Sequence, residues 1–208
     1  MSVFTETEEV TSSSPEAAAP ERPVSWLNTP ALETLPDAMK KLLRYTQDNM
    51  GFVHNFYRAF SVSPAHALGF AAYFGALFDE KKSELSARER ELIIVVVSAE
   101  NRCEFCLVSH AAALREITGD PTFVETVSIN YRRADLTDRE RLLADFAVRV
   151  TRESYALDKN DLDPLRALGL TDAGIMEVVE IIATFNYTNR LANTLGFKPN
   201  DEFFTSNR

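Results

Sequence analysis

Two stretches of this chain echo one another. LSARERELIIVVV, starting at Leu85, aligns without a gap on LTDRERLLADFAV, starting at Leu136, 51 residues later. The first copy contains a β-branched run, Leu92 to Val97, that by itself would suit a buried strand as well as a helix. The second copy removes the choice, because Leu142, Leu143, Phe146, Ala147 and Val150 recur at helical spacing. Both copies also begin with the same device. Ser86 stands three residues before Glu89, and Thr137 three before Glu140. In such a capping box the hydroxyl and the carboxylate satisfy each other's orphan backbone N–H groups, which marks a helix start. The pair predicts an all-α chain built on a degenerate internal helical repeat.

The remaining segments agree. Met39, Leu42, Leu43 and Met50 share a stripe closed by Gly51, and Ser63-Pro64 opens a helix on which Phe70, Phe74, Leu77 and Phe78 share a face. Thr171 starts a long stretch with Ile175, Val178, Val179, Ile182 and Phe185 facing the core, running towards Gly196. No hairpin signal occurs. Residues 1–23 mix Ser, Thr, Glu, Ala and Pro without apolar periodicity and read as a disordered acidic tail. Residues 24–208 read as one domain, its first copy over about 30–120 and its second over about 130–197.

A net charge of −9 repels phosphate backbones and anionic lipid, so neither nucleic acid nor a membrane is an expected partner. No run approaches the roughly 18 apolar residues of a membrane span, and the N-terminus lacks the basic and apolar regions of a secretory signal. A cytoplasmic protein is expected. Its 14 Phe residues point to self-association through an apolar surface.

The chemistry is confined to the first copy. Glu91 stands where the second has Leu142, and Cys103, Cys106 and His110 stand where it has Ser154, Leu157 and Asp161. A carboxylate at a core-facing position is costly without a partner. In the segment that follows, Asn101 serves as a candidate N-cap, with Leu107, Ala111 and Leu114 forming a helical stripe that ends at Gly119. Cys103 then falls in the first turn and Cys106 one turn further in. Thiols at i and i+3 have Cβ atoms roughly 5–6 Å apart, close to disulfide reach. His110, at i+4 from Cys106, is expected beside that sulfur, where an imidazolium and the helix N–H groups favour thiolate. A zinc site is disfavoured, since three of four ligands would crowd one helix. No cofactor and no metal are called for.

The string Glu91-x11-Cys103-x2-Cys106-x3-His110, with ARERELIIVVVSAENRCEFCLVSHAAALREITGDP, INYR, FNYTNRLA and PNDEF around it, resembles alkylhydroperoxidase D in the carboxymuconolactone decarboxylase-like superfamily, in its longer branch of peroxidase-related enzymes. The resemblance implies an all-helical homo-oligomer that reduces peroxides by thiols. It makes Cys106 the peroxidatic thiol, which becomes a sulfenic acid, and Cys103 the resolving thiol. His110 moves the proton and Glu91 orients His110. An external dithiol, thioredoxin-like or lipoyl-bearing, restores the pair. Family members often carry a further His before the second Cys; here that position is Phe105, which puts a relay of two imidazoles in doubt. Carboxymuconolactone decarboxylases proper lack C-x-x-C, so lactone chemistry is not expected.

Two alternatives stay open from the sequence: a dithiol–disulfide oxidoreductase with little peroxide turnover, and a non-catalytic oligomeric scaffold or ligand-binding protein. The other unusual residues have structural readings. His54 and His66 read as solvated or core histidines, Asn186, Asn189 and Arg190 as a hydrogen-bond network or subunit contact, and Trp26 as a packing anchor.

Overall fold

The run from Leu92 to Val97 is helical, and it lacks an amphipathic pattern because this part of its helix is apolar on every side. In the computed structural model, which describes residues 23–208, this helix runs Ala87–Glu100 and forms the centre of the molecule. Every residue from Leu92 to Val97 is at most 2% exposed. The chain order is α1 (Asp37–Met50), α2 (Asn55–Phe60), α3 (Pro64–Leu77), α4 (Ala87–Glu100), α5 (Glu104–Thr118), α6 (Pro121–Asn130), α7 (Asp138–Glu153), α8 (Asp163–Ala167), α9 (Asp172–Leu195) and α10 (Glu202–Thr205). Short 3₁₀ turns lie before α1 and between later helices, and no strand occurs among the described residues. Helices α5, α6, α7 and α9 surround α4. The fold is all-α, as the spacing predicts. The N-terminal tail, apart from Pro23, lies outside the described residues.

Both capping boxes form. The two helix starts also exchange partners: Arg88 donates to Glu140, and Arg139 donates to Glu89. These pairs are related by the same 51-residue offset as the sequence echo. Each carboxylate thus caps its own helix and anchors the other, leaving Glu89 and Glu140 buried but fully partnered. No helix among the described residues is long and apolar enough to cross a membrane.

On α3 only Ala67 is fully buried; the shared face of Phe70, Phe74, Leu77 and Phe78 packs partly buried against the core, and Phe70 and Phe74 also form one wall of a cavity. Among the described residues most Phe side chains face core or cavity, Phe204 being exposed, and the large apolar side chains left most open are Tyr155, Ile129, Trp26 and Tyr45.

The chain enters the domain by a bent segment held against the end of α9. The Trp26 N–H and the Ser25 hydroxyl both donate to the Leu195 carbonyl, and the Lys198 N–H donates to Val24. Gly196 ends α9 in the left-handed region at φ 62°, with the Trp26 indole lying where a Cβ would stand, within 2.3 Å. Trp26 is therefore a packing anchor, although its outer face is exposed. Gly196→Ala is expected to cost about 2 kcal/mol, part from backbone strain and part from displacing the indole. For a chain of this size that lowers Tm by roughly 4–8 °C. Trp26→Ala should remove only the steric part, so the double variant should destabilise less than the sum of the singles; additive melts would refute the contact.

Candidate active site

Helix α4 hands the chain to α5 through a two-residue corner. Asn101 caps the C-terminus of α4, and Arg102 takes a left-handed conformation at φ 51°. Cys103 donates its N–H to the Ser98 carbonyl at 2.9 Å and becomes the N-cap of α5. This corrects the sequence reading in which Asn101 caps α5 and Cys103 lies inside its first turn. The physical reason is that α9 claims the Asn101 side chain. Its amide donates to Asn186 at 3.0 Å and to Asn189 at 2.9 Å, while Asn193 donates to the Asn101 backbone carbonyl. Asn189, fully buried, donates onward to Ser98, and Asn186 donates to Thr151 and accepts from Arg190. The Asn186, Asn189 and Arg190 cluster is thus a hydrogen-bond network that fixes the corner.

Cys103 holds the N-cap position of α5 through its backbone, with its sulfur near the first turn but making no side-chain capping hydrogen bond. Its thiol is held below the ordinary range, first by the neighbouring Cys106 side chain and then, against burial, by the N–H groups of Cys106 and Phe105 and by the Asn189 amide. The Cys106 thiol is held well above its ordinary range, first by that same engagement with Cys103, then by burial and by the charge on Cys103. The helix N–H groups therefore favour thiolate at Cys103, where the sequence reading placed their effect on Cys106. Both cysteines are free and buried.

The two thiols differ in access. Cys106 lines an apolar cavity of about 430 Å³ together with His110, Thr188, Phe105, Phe185 and the α3 phenylalanines, whereas Cys103 lies behind it. The Thr188 hydroxyl lies 3.9 Å from the Cys106 sulfur, and among the described residues no hydrogen bond joins that sulfur to His110. His110 instead pairs through Nδ1 with Glu91 Oε2 at 2.8 Å, and its ring meets Phe185 edge to face at 4.7 Å. With Nδ1–H given to the carboxylate, Nε2 is left as an acceptor in the neutral ring. Glu91 is largely buried and faces a second cavity of about 400 Å³ on the other side of His110. All four sequence candidates, Glu91, Cys103, Cys106 and His110, therefore lie on the packed α4–α5 pair, the cysteines at its corner and Glu91 and His110 paired further along it. Among the described residues no group of three His, Cys, Asp or Glu side chains is arranged to hold a metal ion.

Comparison with known proteins follows the same lines. The model of the carboxymuconolactone decarboxylase family matches residues 64–127, which carry the whole Glu91-to-His110 segment. A peroxidase-related protein with an alkylhydroperoxidase AhpD core from Ralstonia eutropha JMP134 is 38% identical, with TM-score 0.85 over 89% of this chain and 97% of that one. The chain belongs to the alkylhydroperoxidase D-like, carboxymuconolactone decarboxylase-like superfamily. A second peroxidase-related member, from Silicibacter sp. TM1040, is 35% identical, with TM-score 0.84 over 92% of this chain and 100% of that one. The debrominase Bmp8, 18% identical with TM-score 0.68 over 86% of this chain and 93% of that one, shares the fold. Among curated proteins none matches.

In this alkylhydroperoxidase D-like chain a second imidazole does reach the site, though not from α5. His54, which the sequence reading left as a solvated or core residue, lines both cavities and lies 5.9 Å from the Phe105 ring, centroid to centroid. Burial, with the His110 charge adding to it, pushes its pKa down to about 4. No local motif marks it, because 52 residues separate it from Cys106. His66, by contrast, is exposed on α3 away from both cavities.

Proposed function

We propose that this chain is a thiol-dependent peroxidase that reduces hydrogen peroxide or, better, organic hydroperoxides by cycling Cys106 and Cys103 between dithiol and disulfide. The observation that carries the reading is the unequal access of the two sulfurs. Cys106 lines an aromatic cavity together with His110, while Cys103 does not line it and is fully buried. An oxidant entering the cavity meets Cys106, and the product meets Cys103 next.

The steps balance as follows. Cys106, as thiolate, attacks the terminal peroxide oxygen; the O–O bond breaks, giving the Cys106 sulfenic acid and an alkoxide. His110 takes the thiol proton through Nε2 and returns it to the alkoxide, which leaves as alcohol. The Cys103 thiolate, which its N-cap position favours, attacks the Cys106 sulfur and expels hydroxide, which takes up a proton to leave as water. The disulfide is then reduced by an external dithiol, thioredoxin-like or lipoyl-bearing. Self-association and a cytoplasmic location belong to the same proposal.

Among the described residues lining this cavity there is no Lys, Arg, Asp or Glu, which favours a neutral, apolar R group. A steady-state assay with cumene hydroperoxide and hydrogen peroxide, each with thioredoxin and with dihydrolipoamide as donor, tests the reading. Turnover with at least one donor, faster for cumene hydroperoxide, is expected. Disulfide reduction or exchange without peroxide consumption under any of the four conditions would replace it with the oxidoreductase alternative.

A further inference from the structure

His54 is held in one tautomer by its own helix. It is the N-cap of α2, and its Nδ1 accepts the Phe56 N–H at 3.2 Å. The ring proton is therefore on Nε2. Among the described residues no acceptor pairs with that N–H, yet no sealed side-chain nitrogen or oxygen is left without a partner. The Nε2–H consequently opens onto a cavity. The two cavities share the wall formed by Asn49, Met50, His54 and His110, with Cys106 in the first of them. Aromatic rings of Tyr57, Phe105 and Phe203 pack around the His54 ring at 5.4–5.9 Å and fix its plane.

We propose that His54 contacts the substrate, its Nε2–H donating a hydrogen bond to the R–O oxygen as the O–O bond breaks. This rests on the peroxidase reading above and assigns a donor that reading did not use. The oxygen bonded to R gains negative charge as the Cys106 sulfur takes the terminal oxygen, and a fixed N–H in an apolar cavity stabilises that charge without reorganising. His54 itself transfers no proton. With a pKa of about 4 it stays neutral in the working range, a donor by hydrogen bond alone, while His110 carries the proton.

The ionisable groups lining the same two cavities are Tyr45, Tyr57, Glu91, Cys106, His110 and Glu116. None of them alters which His54 nitrogen bears the proton, because Phe56 occupies Nδ1. The loss caused by removing the donor should accordingly be uniform with pH.

Two substitutions separate the roles of the two ring nitrogens. In His54→Asn the amide oxygen stands near Nδ1 and keeps the helix cap, but nothing reaches Nε2. In His54→Gln the amide nitrogen reaches the Nε2 position, and the cap is lost. His54→Asn should keep the helix cap and so melt above His54→Gln, and should lower kcat for cumene hydroperoxide by roughly 10–100-fold, by the same factor at each pH from 5 to 9. Its Cys106 alkylation rate against pH should match wild type. His54→Gln should melt lower and retain more of the rate. Wild-type turnover with unchanged rates in His54→Asn, or a loss that varies with pH or follows Tm, overturns this proposal alone. Absence of wild-type peroxide turnover overturns the peroxidase reading and this proposal with it.

Discussion

Replacing Cys106 by Ser is expected to lower peroxide consumption by about 1000-fold or more, because the attacking sulfur is lost and Cys103 has no open path to the cavity. Replacing Cys103 by Ser is expected to leave one turnover intact and to trap a sulfenic acid at Cys106, detectable by dimedone labelling and mass spectrometry. The second variant also carries a prediction with a definite sign. The Cys106 thiol is raised first by its engagement with Cys103 and then by burial. Without the negatively polarised sulfur beside it, Cys106 should titrate at lower pH, and its alkylation should extend further to the acid side than in wild type. Stable oxidation appearing first at Cys103, with Cys106→Ser still consuming peroxide, would reverse the roles of the two sulfurs.

Glu91→Gln is expected to slow peroxide reduction by roughly 10–1000-fold with little change in Tm. The carboxylate accepts from Nδ1 of His110 at 2.8 Å and so leaves Nε2 free to take a proton. A Gln amide can donate to Nδ1 instead, which puts the ring proton on Nε2 and removes the base; the comparable change in a Ser-His-Asp triad shows how large such a tautomer effect can be. Stability should be nearly unaffected because Gln conserves the volume and replaces a largely buried carboxylate, 15% exposed, with a neutral amide. A rate–pH profile measured beside thermal melts separates these effects. A profile identical to wild type would make Glu91 a structural partner of His110 and nothing more, whereas a lower rate accompanied by an equally lowered Tm would mark it as a packing residue.

The same residues show which features could be read from the chain. The helices were legible wherever an amphipathic stripe or a cap marked them, as at Thr171 to Gly196. They were legible at LIIVVV only through its echo, since a helix surrounded by four others has no polar face to display its period. The identity of Glu91, Cys103, Cys106 and His110 was legible because three of them lie within one short helical segment and the fourth breaks the echo. What the spacing left open was the division of labour between the sulfurs. Asn101 was claimed across the chain by Asn186 and Asn189 on α9, which moved the start of α5 to Cys103 and gave the helix N–H groups to that sulfur.

The sequence by itself determined the helical class, the capped starts of α4 and α7, and the set of groups available for redox chemistry, because all three depend on spacings of three or four residues along one helix. Only the tertiary structure decided that the Phe70 and Phe74 stripe lines a cavity, that Cys106 opens onto it while Cys103 does not, and that His54 joins them from α2. Access and burial are properties of surfaces brought together from distant segments, and no local period records them.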